Sequence, residues 1–147
     1  MTSAEREVDG LSAVRSDSRF LAFIAHFNGD RDYYECHEVM EELWLEQGRS
    51  PLLQGLLQAA VGLHHWDNGN YSGAVKLMSA SLAKLSRYGD YALGLDLLKV
   101  RSDLKIALDI LSKRPDDAPL HAFMLNISDG SLANAVKAWE KLNGASD

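Results

Sequence analysis

The sequence has little of several features that define whole classes of protein. Its 147 residues include one cysteine, Cys36, and three prolines. A single cysteine cannot form a disulfide within the chain, and it fits a reducing compartment. No stretch approaches the roughly 18 apolar residues that a membrane-spanning helix needs, and residues 1–10 contain no apolar run typical of a secretory signal. We therefore expect a cytoplasmic protein with no membrane partner.

A basic surface is also lacking. The chain has 15 Lys and Arg residues against 21 Asp and Glu residues, a net charge of −6. Seven of the acids and one base, Arg31, lie in the segment Asp30–Glu46, so this acidic segment carries the entire net charge. Because a protein that binds nucleic acid needs a basic face, we expect no nucleic-acid partner. We expect the acidic charge to be offset locally by bases near the C-terminal half, namely Lys99, Arg101, Lys105 and Lys113.

Apolar residues recur at helical spacing along most of the chain. From Ser50 to Trp66 there is no Asp, Glu, Lys or Arg, which indicates a helix buried on most sides. Ser50 and Pro51 suit the N-cap and the first position of that helix. No stretch alternates long enough to predict a sheet, so the sequence predicts an all-α, compact bundle of five to six helices built on two helix hairpins. The predicted helices are Asp17–Phe27, Asp32–Gln47, Pro51–Trp66, Tyr71–Arg87, Asp96–Lys113 and Asp129–Leu142.

The domain organisation is simple. Residues 1–15 are polar and are predicted to form a loosely docked N-terminal arm, whereas residues 16–147 are predicted to form a single helical domain. The segment 121–127 fits either a short helix or an extended arm. Because apolar surface left over after packing is usually buried between copies, the uncharged helix also makes a homodimer an expectation.

Two neighbouring predicted helices carry polar and aromatic residues one or two turns apart, a spacing that places them on one face of each helix. Polar side chains on a helix that is otherwise buried need hydrogen-bond partners. Antiparallel helices with facing stripes satisfy that need, so we predict a polar pocket between them. Its residues are Tyr34, His37, Glu38, Glu41, Trp44, Gln54, Gln58 and His65.

The acidic helix contains the motif H-x-x-x-E-x-x-W, which runs from His37 to Trp44. In order and spacing, residues 20–87 resemble the domain of unknown function 309 family of small bacterial and archaeal helical proteins. The resemblance implies an all-helical fold and no established activity. One departure is His64, which stands where an aromatic residue is expected. Besides the motif, the resemblance rests on Phe27-Asn28-Gly29, Tyr34-Glu35-Cys36, Gly55 to Ala60, His65, Gly69-Asn70 and Gly73-Ala74.

Three functions fit these residues, and they leave both an enzyme and a non-enzyme open. The first is a binding or interaction role, with a small molecule or a protein as partner and a pocket under Trp44. In the second, His37, Glu41 and His65 bind a divalent metal (Zn, Mn or Fe) in a hydrolase-like enzyme, since His and Glu four residues apart on a helix reach one ion. The third is a tetratricopeptide-like adaptor, suggested by residues 69–74. A purely structural network that fixes the helix register predicts the same residues.

The remaining candidates favour ordinary structural roles. His64 should point about 100° away from His65 and outside the pocket, and His26 and His121 are predicted to be partly exposed. Cys36 is flanked by Glu35 and His37, and the nearby negative charge opposes a reactive thiolate, so we interpret it as a small packing residue. Most of the other acids of the acidic segment are predicted to face water.

Overall fold

Seven α-helices account for most of residues 1–144, the part of the chain that this computed structural model describes. The all-α prediction is confirmed, with one helix more than the five or six expected. The predicted domain ends at residue 147, and residues 145–147 lie outside the described residues. The helices are α1 (Ser3–Gly10), α2 (Ser18–Asn28), α3 (Tyr33–Glu46), α4 (Pro51–Asp67), α5 (Tyr71–Leu85), α6 (Leu97–Lys113) and α7 (Gly130–Leu142).

Local sequence determines where the central helices begin. The side chains of Asp32, Ser50 and Asn70 accept hydrogen bonds from backbone N–H groups in the first turns of α3, α4 and α5. These contacts satisfy donors that have no partner within the helix. Helices α2, α3, α4 and α5 then pack against one another in chain order, while α6 packs on α5 and α7 packs on α2. This order builds the core around α4, as its lack of charge predicts.

Glycines let α4 and α5 approach closely. A Cβ atom at Gly62 would lie 2.6 Å from Cγ of Met78, and one at Gly55 would lie 2.8 Å from Cδ2 of Leu85. The buried hydroxyl of Ser81 donates a 2.7 Å hydrogen bond to the carbonyl oxygen of Gly55. The apolar residues of α4 are largely buried within the single chain, which weakens the reason for expecting a dimer. A homodimer stays a prediction.

The first 15 residues form more structure than the loosely docked arm that was predicted. Thr2 and Glu5 form a capping box at the start of α1. The carboxylate of Glu7 then accepts hydrogen bonds from the main body of the protein, and a 3₁₀ helix, Ser12–Ser16, follows. Leu11 is buried in the core. The sequence argument failed because polarity alone does not reveal a carboxylate that docks on a distant helix.

A small hairpin and an extended segment complete the fold. Strands β1 (Tyr91–Ala92) and β2 (Leu95–Asp96) pair antiparallel, and the two residues between them both have positive φ, as type I′ turns require. Ile127 forms a bridge with Leu95, so the segment 121–127 is extended rather than helical. These pairings are too short to appear as an alternating pattern in the sequence.

The acidic segment is partly neutralised from α2. The guanidinium of Arg19 lies 3.1 Å from a carboxylate oxygen of Glu42 and 2.8 Å from one of Glu46, and it also pairs with Asp17 at 2.8 Å. The predicted offset from α6 is wrong for three of its four bases, which pair elsewhere because closer carboxylates are available. Those pairs are Lys99 with Asp103, Arg101 with Asp90, and Lys113 with Asp109.

None of the helices formed by the described residues combines the length and the apolar character needed to cross a membrane.

Candidate functional site

The predicted polar residues of α3 and α4 lie on two helices that pack against each other. Tyr34, near the start of α3, has its ring centroid 6.0 Å from that of His64, near the end of α4. The two helices therefore run antiparallel, joined by a short connection after Glu46. In this register, successive turns of α3 face successive turns of α4 in reverse order.

His37 is held between two carboxylates of its own helix. Its Nε2 atom lies 2.6 Å from Oε2 of Glu41, and its Nδ1 atom lies 3.6 Å from Oε1 of Glu38. The side chains of His37 and Glu41 are 36% and 47% exposed, so this pair is open to water rather than sealed in the core. Exposed ion pairs contribute about 0–1 kcal/mol to stability. The pair is therefore a weak structural element and an accessible chemical group.

Trp44 and Gln58 carry buried polar atoms that lack partners. Within residues 1–144, neither Nε1 of Trp44 nor Oε1 of Gln58 has a hydrogen-bond partner, although almost no surface of either atom is exposed. The guanidinium carbon of Arg49 lies 5.4 Å from the centre of the Trp44 ring, as in a cation–π contact. A third such atom is the hydroxyl oxygen of Tyr33, where burial raises the pKa to about 12.

His65 accepts a hydrogen bond from the residue that starts α5. The side-chain nitrogen of Asn70 lies 3.3 Å from His65 Nδ1, while the side-chain oxygen of Asn70 accepts from Gly73 N–H at 3.0 Å. That assignment makes Nδ1 an acceptor and places the proton of neutral His65 on Nε2. Burial, followed by the nearby His64 and His37, lowers the pKa of His65. His65 is therefore set up as a neutral N–H donor.

His64 lies closer to the predicted site than the sequence suggested. Its ring centroid is 6.0 Å from that of Tyr34 and 6.2 Å from that of His65. The expectation that it points outside the pocket is wrong, because α3 crosses α4 beside the last turn of α4. Tyr34 also lies 6.3 Å from His37, centroid to centroid. Tyr34, which is 57% exposed, thus lies beside two histidines, His37 and His64, and His64 in turn lies beside His65.

The other predicted residues occupy the margins of this surface. Gln54 is half-buried one turn before Gln58, and Glu38 is exposed. We define the α3–α4 polar face as the eight residues predicted for the pocket together with His64. A cavity of about 560 Å³ lies elsewhere, between α1 and the segment 87–92.

The side-chain atoms of His37, Glu41 and His65 that would bind a metal are less tightly grouped than those of a second set of residues elsewhere in the protein. Among the described residues, the group of three whose donor atoms all lie within 4.8 Å of one another is His26, Asp30 and Asp32. To bind a metal through Nε2, His65 would also have to move its proton from Nε2 to Nδ1. The Nδ1–H group would then face the side-chain N–H of Asn70, and two donors facing each other cannot form a hydrogen bond. Metal binding at His37, Glu41 and His65 stays a prediction that carries this cost.

Two residues that organise the fold were not identified from the sequence as site residues. Asn28 binds the extended segment near Leu125, and Glu7 binds the start of α4. Both contacts join positions far apart in the chain, and sequence spacing gives no indication of them. Cys36, in contrast, is buried, and burial raises the pKa of its thiol, as expected for a packing residue.

Together the fold and the α3–α4 polar face define a small all-α bundle with one polar, aromatic face between two central helices. The family model described as "Domain of unknown function (DUF309)" matches residues 20–77. The resemblance seen in the sequence is therefore confirmed over that segment, which runs from α2 into α5.

Two relatives are similar to part of the chain. One is the uncharacterized protein YpuF of Bacillus subtilis (strain 168), 38% identical over 66 residues, which are 43% of this chain and 38% of that protein. The other is an uncharacterized protein of Aquifex aeolicus (strain VF5), 28% identical over 80 residues, which are 52% of this chain and 24% of that protein. The chain thus spans less than half the length of either relative.

Proposed function

We propose that this protein is a binding protein whose α3–α4 polar face holds a small polar ligand. The observation that carries the proposal is the pair of unpartnered atoms, Trp44 Nε1 and Gln58 Oε1, on two helices packed together. One of these atoms donates a hydrogen bond and the other accepts one. The proposed ligand accepts from the indole N–H and donates to the amide oxygen.

The energetics support a ligand-binding role over a purely structural one. A buried polar group without a partner costs about 1–3 kcal/mol. A sequence selected for stability alone would place apolar side chains without polar atoms at these two positions, one on α3 and the other on α4. Retaining an indole N–H and an amide oxygen without partners is the arrangement expected where a ligand supplies the missing hydrogen bonds.

The surroundings indicate which ligands fit. Trp44 and Gln58 are half-buried as residues, but their unpartnered atoms are covered, so a ligand reaches these atoms only when neighbouring side chains move aside. The nearby carboxylate of Glu41 and the neutral His65 favour a ligand that carries hydrogen-bond donors rather than a second negative charge. We therefore propose a neutral or cationic ligand with hydroxyl, amide or amine groups.

Native mass spectrometry tests this proposal. The full chain is equilibrated with a small-molecule extract of bacterial cells, and each adduct is released and identified by its mass. We expect a specific adduct on the natural sequence that is lost in Trp44→Phe, which removes the N–H but keeps an aromatic ring, and in Gln58→Met. Trp139→Phe is the matched control, because Trp139 lies on α7 outside the proposed site.

Stability measurements on the ligand-free protein separate binding from structure. Since Trp44→Phe and Gln58→Met remove buried polar atoms that have no partner, we expect no loss in the free energy of unfolding of the ligand-free protein and a gain of up to about 1–3 kcal/mol. A loss of about 1–3 kcal/mol in both variants, with no adduct on the natural sequence, would mean that these atoms have structural partners and would overturn the proposal.

A metal-dependent, hydrolase-like function is the second candidate, suggested by the position of His37 and Glu41 on one face of α3, where their 2.6 Å contact is a hydrogen bond. A divalent ion such as Zn, Mn or Fe would replace that hydrogen bond and be held by both side chains, with His65 as a third ligand. Elemental analysis of untagged protein, refolded with each metal and compared with His37→Ala, tests it. One metal per chain that disappears in His37→Ala supports this candidate. A stoichiometry far below one rejects it.

The adaptor role and the cytoplasmic location predicted from the sequence remain part of this proposal. An adaptor role for the α4–α5 hairpin and a cytoplasmic location are compatible with a binding function. A specific protein partner that is captured through the exposed side of α5, in place of a small-molecule adduct, would favour the adaptor.

A further inference from the structure

A second cavity lies on a different part of the molecule and is lined by basic side chains. Its volume is about 370 Å³, and its walls include Arg31, Lys99 and His121. Phe123 and Met124 add an apolar wall. The cavity joins the turn before α3, the first turn of α6 and the extended segment 121–127. On a chain with a net charge of −6, this concentration of basic groups is unusual.

Arg31 is the one base of the acidic segment, and its backbone is strained. Its φ is +57°, a left-handed conformation that side-chain-bearing residues other than Asn and Asp rarely adopt. Over the part of the chain that is described, its guanidinium forms no ion pair within 4.0 Å. A strained residue that directs an unpaired cation toward a cavity is typical of a binding position.

Lys99 has a donor left over. Its ammonium group donates to Oδ2 of Asp103 at 2.6 Å and to the carbonyl oxygen of Met124 at 2.8 Å. An ammonium group has three N–H donors, so one remains for a ligand. Asp103 also lines the cavity, and its carboxylate competes with a bound anion for the ammonium group of Lys99. The hydrogen bonds from Lys99 to Asp103 and to the Met124 carbonyl nevertheless hold that ammonium group in place.

The wall opposite α6 is rigidly held. The side chain of Asn28 makes two hydrogen bonds to the backbone of Leu125, and Ile127 forms a bridge with Leu95. These contacts fix the segment that carries His121 and Phe123. The cavity is therefore formed before any ligand binds, which lowers the entropic cost of binding.

The carboxylates next to Arg31 in sequence are not among the residues that line the cavity. Asp30 lies 3.0 Å from Nδ1 of His26, and Asp32 accepts from the backbone N–H of Glu35. Arg31 and Lys99 together carry two positive charges and Asp103 one negative charge, so the wall of the cavity keeps one net positive charge.

We propose that this cavity binds a small phosphate monoester, with the phosphate between Arg31 and Lys99 and an apolar remainder against Phe123 and Met124. Guanidinium groups bind phosphate oxygens through paired N–H donors, and the lysine ammonium adds a point charge. The volume lies within the roughly 300–1,000 Å³ of small-molecule sites and exceeds what inorganic phosphate alone fills.

Phenyl phosphate is a suitable probe, added to the full chain at low salt and followed by calorimetry and by amide shifts in NMR spectra. We expect saturable binding that shifts the amides of residues 31, 99 and 121–126. Inorganic phosphate should bind at least about 5-fold more weakly, because it leaves the apolar wall uncovered, and the carboxylate benzoate should also bind more weakly.

Three variants test the named contacts. Arg31→Gly removes the guanidinium while keeping the left-handed backbone, so we expect a folded protein with at least about 10-fold weaker phenyl phosphate binding. Lys99→Met should weaken binding similarly. Asp103→Asn removes the competing carboxylate and should tighten binding by about 2- to 5-fold. The matched control is Arg49→Gly, which removes the same charge from a residue that also has positive φ, +61°, but lies outside this cavity.

Specific results would overturn the proposal. If Arg31→Gly and Arg49→Gly weakened phenyl phosphate binding equally, the binding would depend only on the net charge of the protein and not on this cavity. Binding of benzoate as tight as that of phenyl phosphate would reject phosphate selectivity. Saturation with no amide shifts around residues 31, 99 and 121–126 would place the site elsewhere.

Discussion

The side chain of Asn28 makes two hydrogen bonds to the backbone of Leu125, although 97 residues separate them. The amide nitrogen donates to the carbonyl oxygen at 2.9 Å, and the amide oxygen accepts from the N–H at 2.7 Å. This is the pattern that a neighbouring β-strand would supply. A single residue at the end of α2 thus substitutes for a strand and holds the extended segment against the bundle.

Replacing Asn28 by Ala should therefore lower stability substantially. The change leaves a backbone donor and a backbone acceptor of Leu125 without partners, and we expect a loss of about 2–4 kcal/mol. Chemical denaturation measures the loss, and hydrogen exchange should show faster exchange at the Leu125 amide. Asn143→Ala is the control, because its side chain donates a single bond to Trp139 at an exposed helix end. Equal losses in both variants would contradict this role for Asn28.

The next residue, Gly29, should not tolerate a side chain. A Cβ atom there would lie 2.7 Å from the carbonyl oxygen of Ala25, which is backbone and cannot move aside cheaply. We expect Gly29→Ala to lower the free energy of unfolding by about 1–3 kcal/mol. Gly130→Ala serves as the comparison, since nothing lies within 4 Å of a Cβ at that position. A Gly29→Ala protein as stable as Gly130→Ala would show that the turn before α3 is free to rearrange.

The carboxylate of Glu7 docks α1 on the protein. It accepts bonds from Ser50 Oγ at 2.7 Å, Leu52 N–H at 3.0 Å and Tyr88 O–H at 2.7 Å. It also lies at the positive end of α4. We expect Glu7→Ala to cost about 2–4 kcal/mol, because three donors lose a charged partner.

Limited proteolysis provides a second measure of the Glu7→Ala change. Cleavage within residues 1–11 should become faster when α1 is released. Asp9→Ala is the matched control on an exposed position of the same helix. If cleavage and stability match those of the control, α1 is held by its apolar contacts instead.

His65 should make stability depend on pH. Its pKa lies below the ordinary value of 6.5, chiefly because of burial. As the pH falls through about 6.5, the unfolded chain takes up a proton that the folded protein does not, so acidification favours unfolding. The stability that neutral His65 contributes is fully present above its pKa in the unfolded chain. It is lost as the pH falls through the lower pKa of the folded protein. Unfolding curves between pH 7.5 and 5 should show a steeper decline for the natural sequence than for His65→Gln, and parallel declines would contradict this prediction.

Local features of the sequence predicted the helices well. The prediction for α4 matches the structure closely, since Ser50 caps the helix, Pro51 opens it and the absence of charge marks its burial. The close approach of His37 to Glu41 follows in the same way from a spacing of four residues on one helix. In each case the residues that decide the outcome lie within a turn or two of one another.

The features that were missed depend on contacts between distant positions. Arg19 rather than α6 neutralises part of the acidic segment, because α2 and not α6 packs beside α3. The position of His64 depends on how α3 crosses α4. Helix α1 is an exception, since the capping box formed by Thr2 and Glu5 is visible in the sequence and indicates a helix start.

The contacts of Glu7 and Asn28 tie the segment that matches the family model to the rest of the chain. The segment that matches the family, residues 20–77, contains Asn28 and Ser50 but neither Leu125 nor Glu7. A fragment cut at those limits would present bare backbone donors at the start of α4 and an unused amide at the end of α2. In this protein, the segment that matches the family model is therefore completed at both ends by contacts from flanking residues of the same chain.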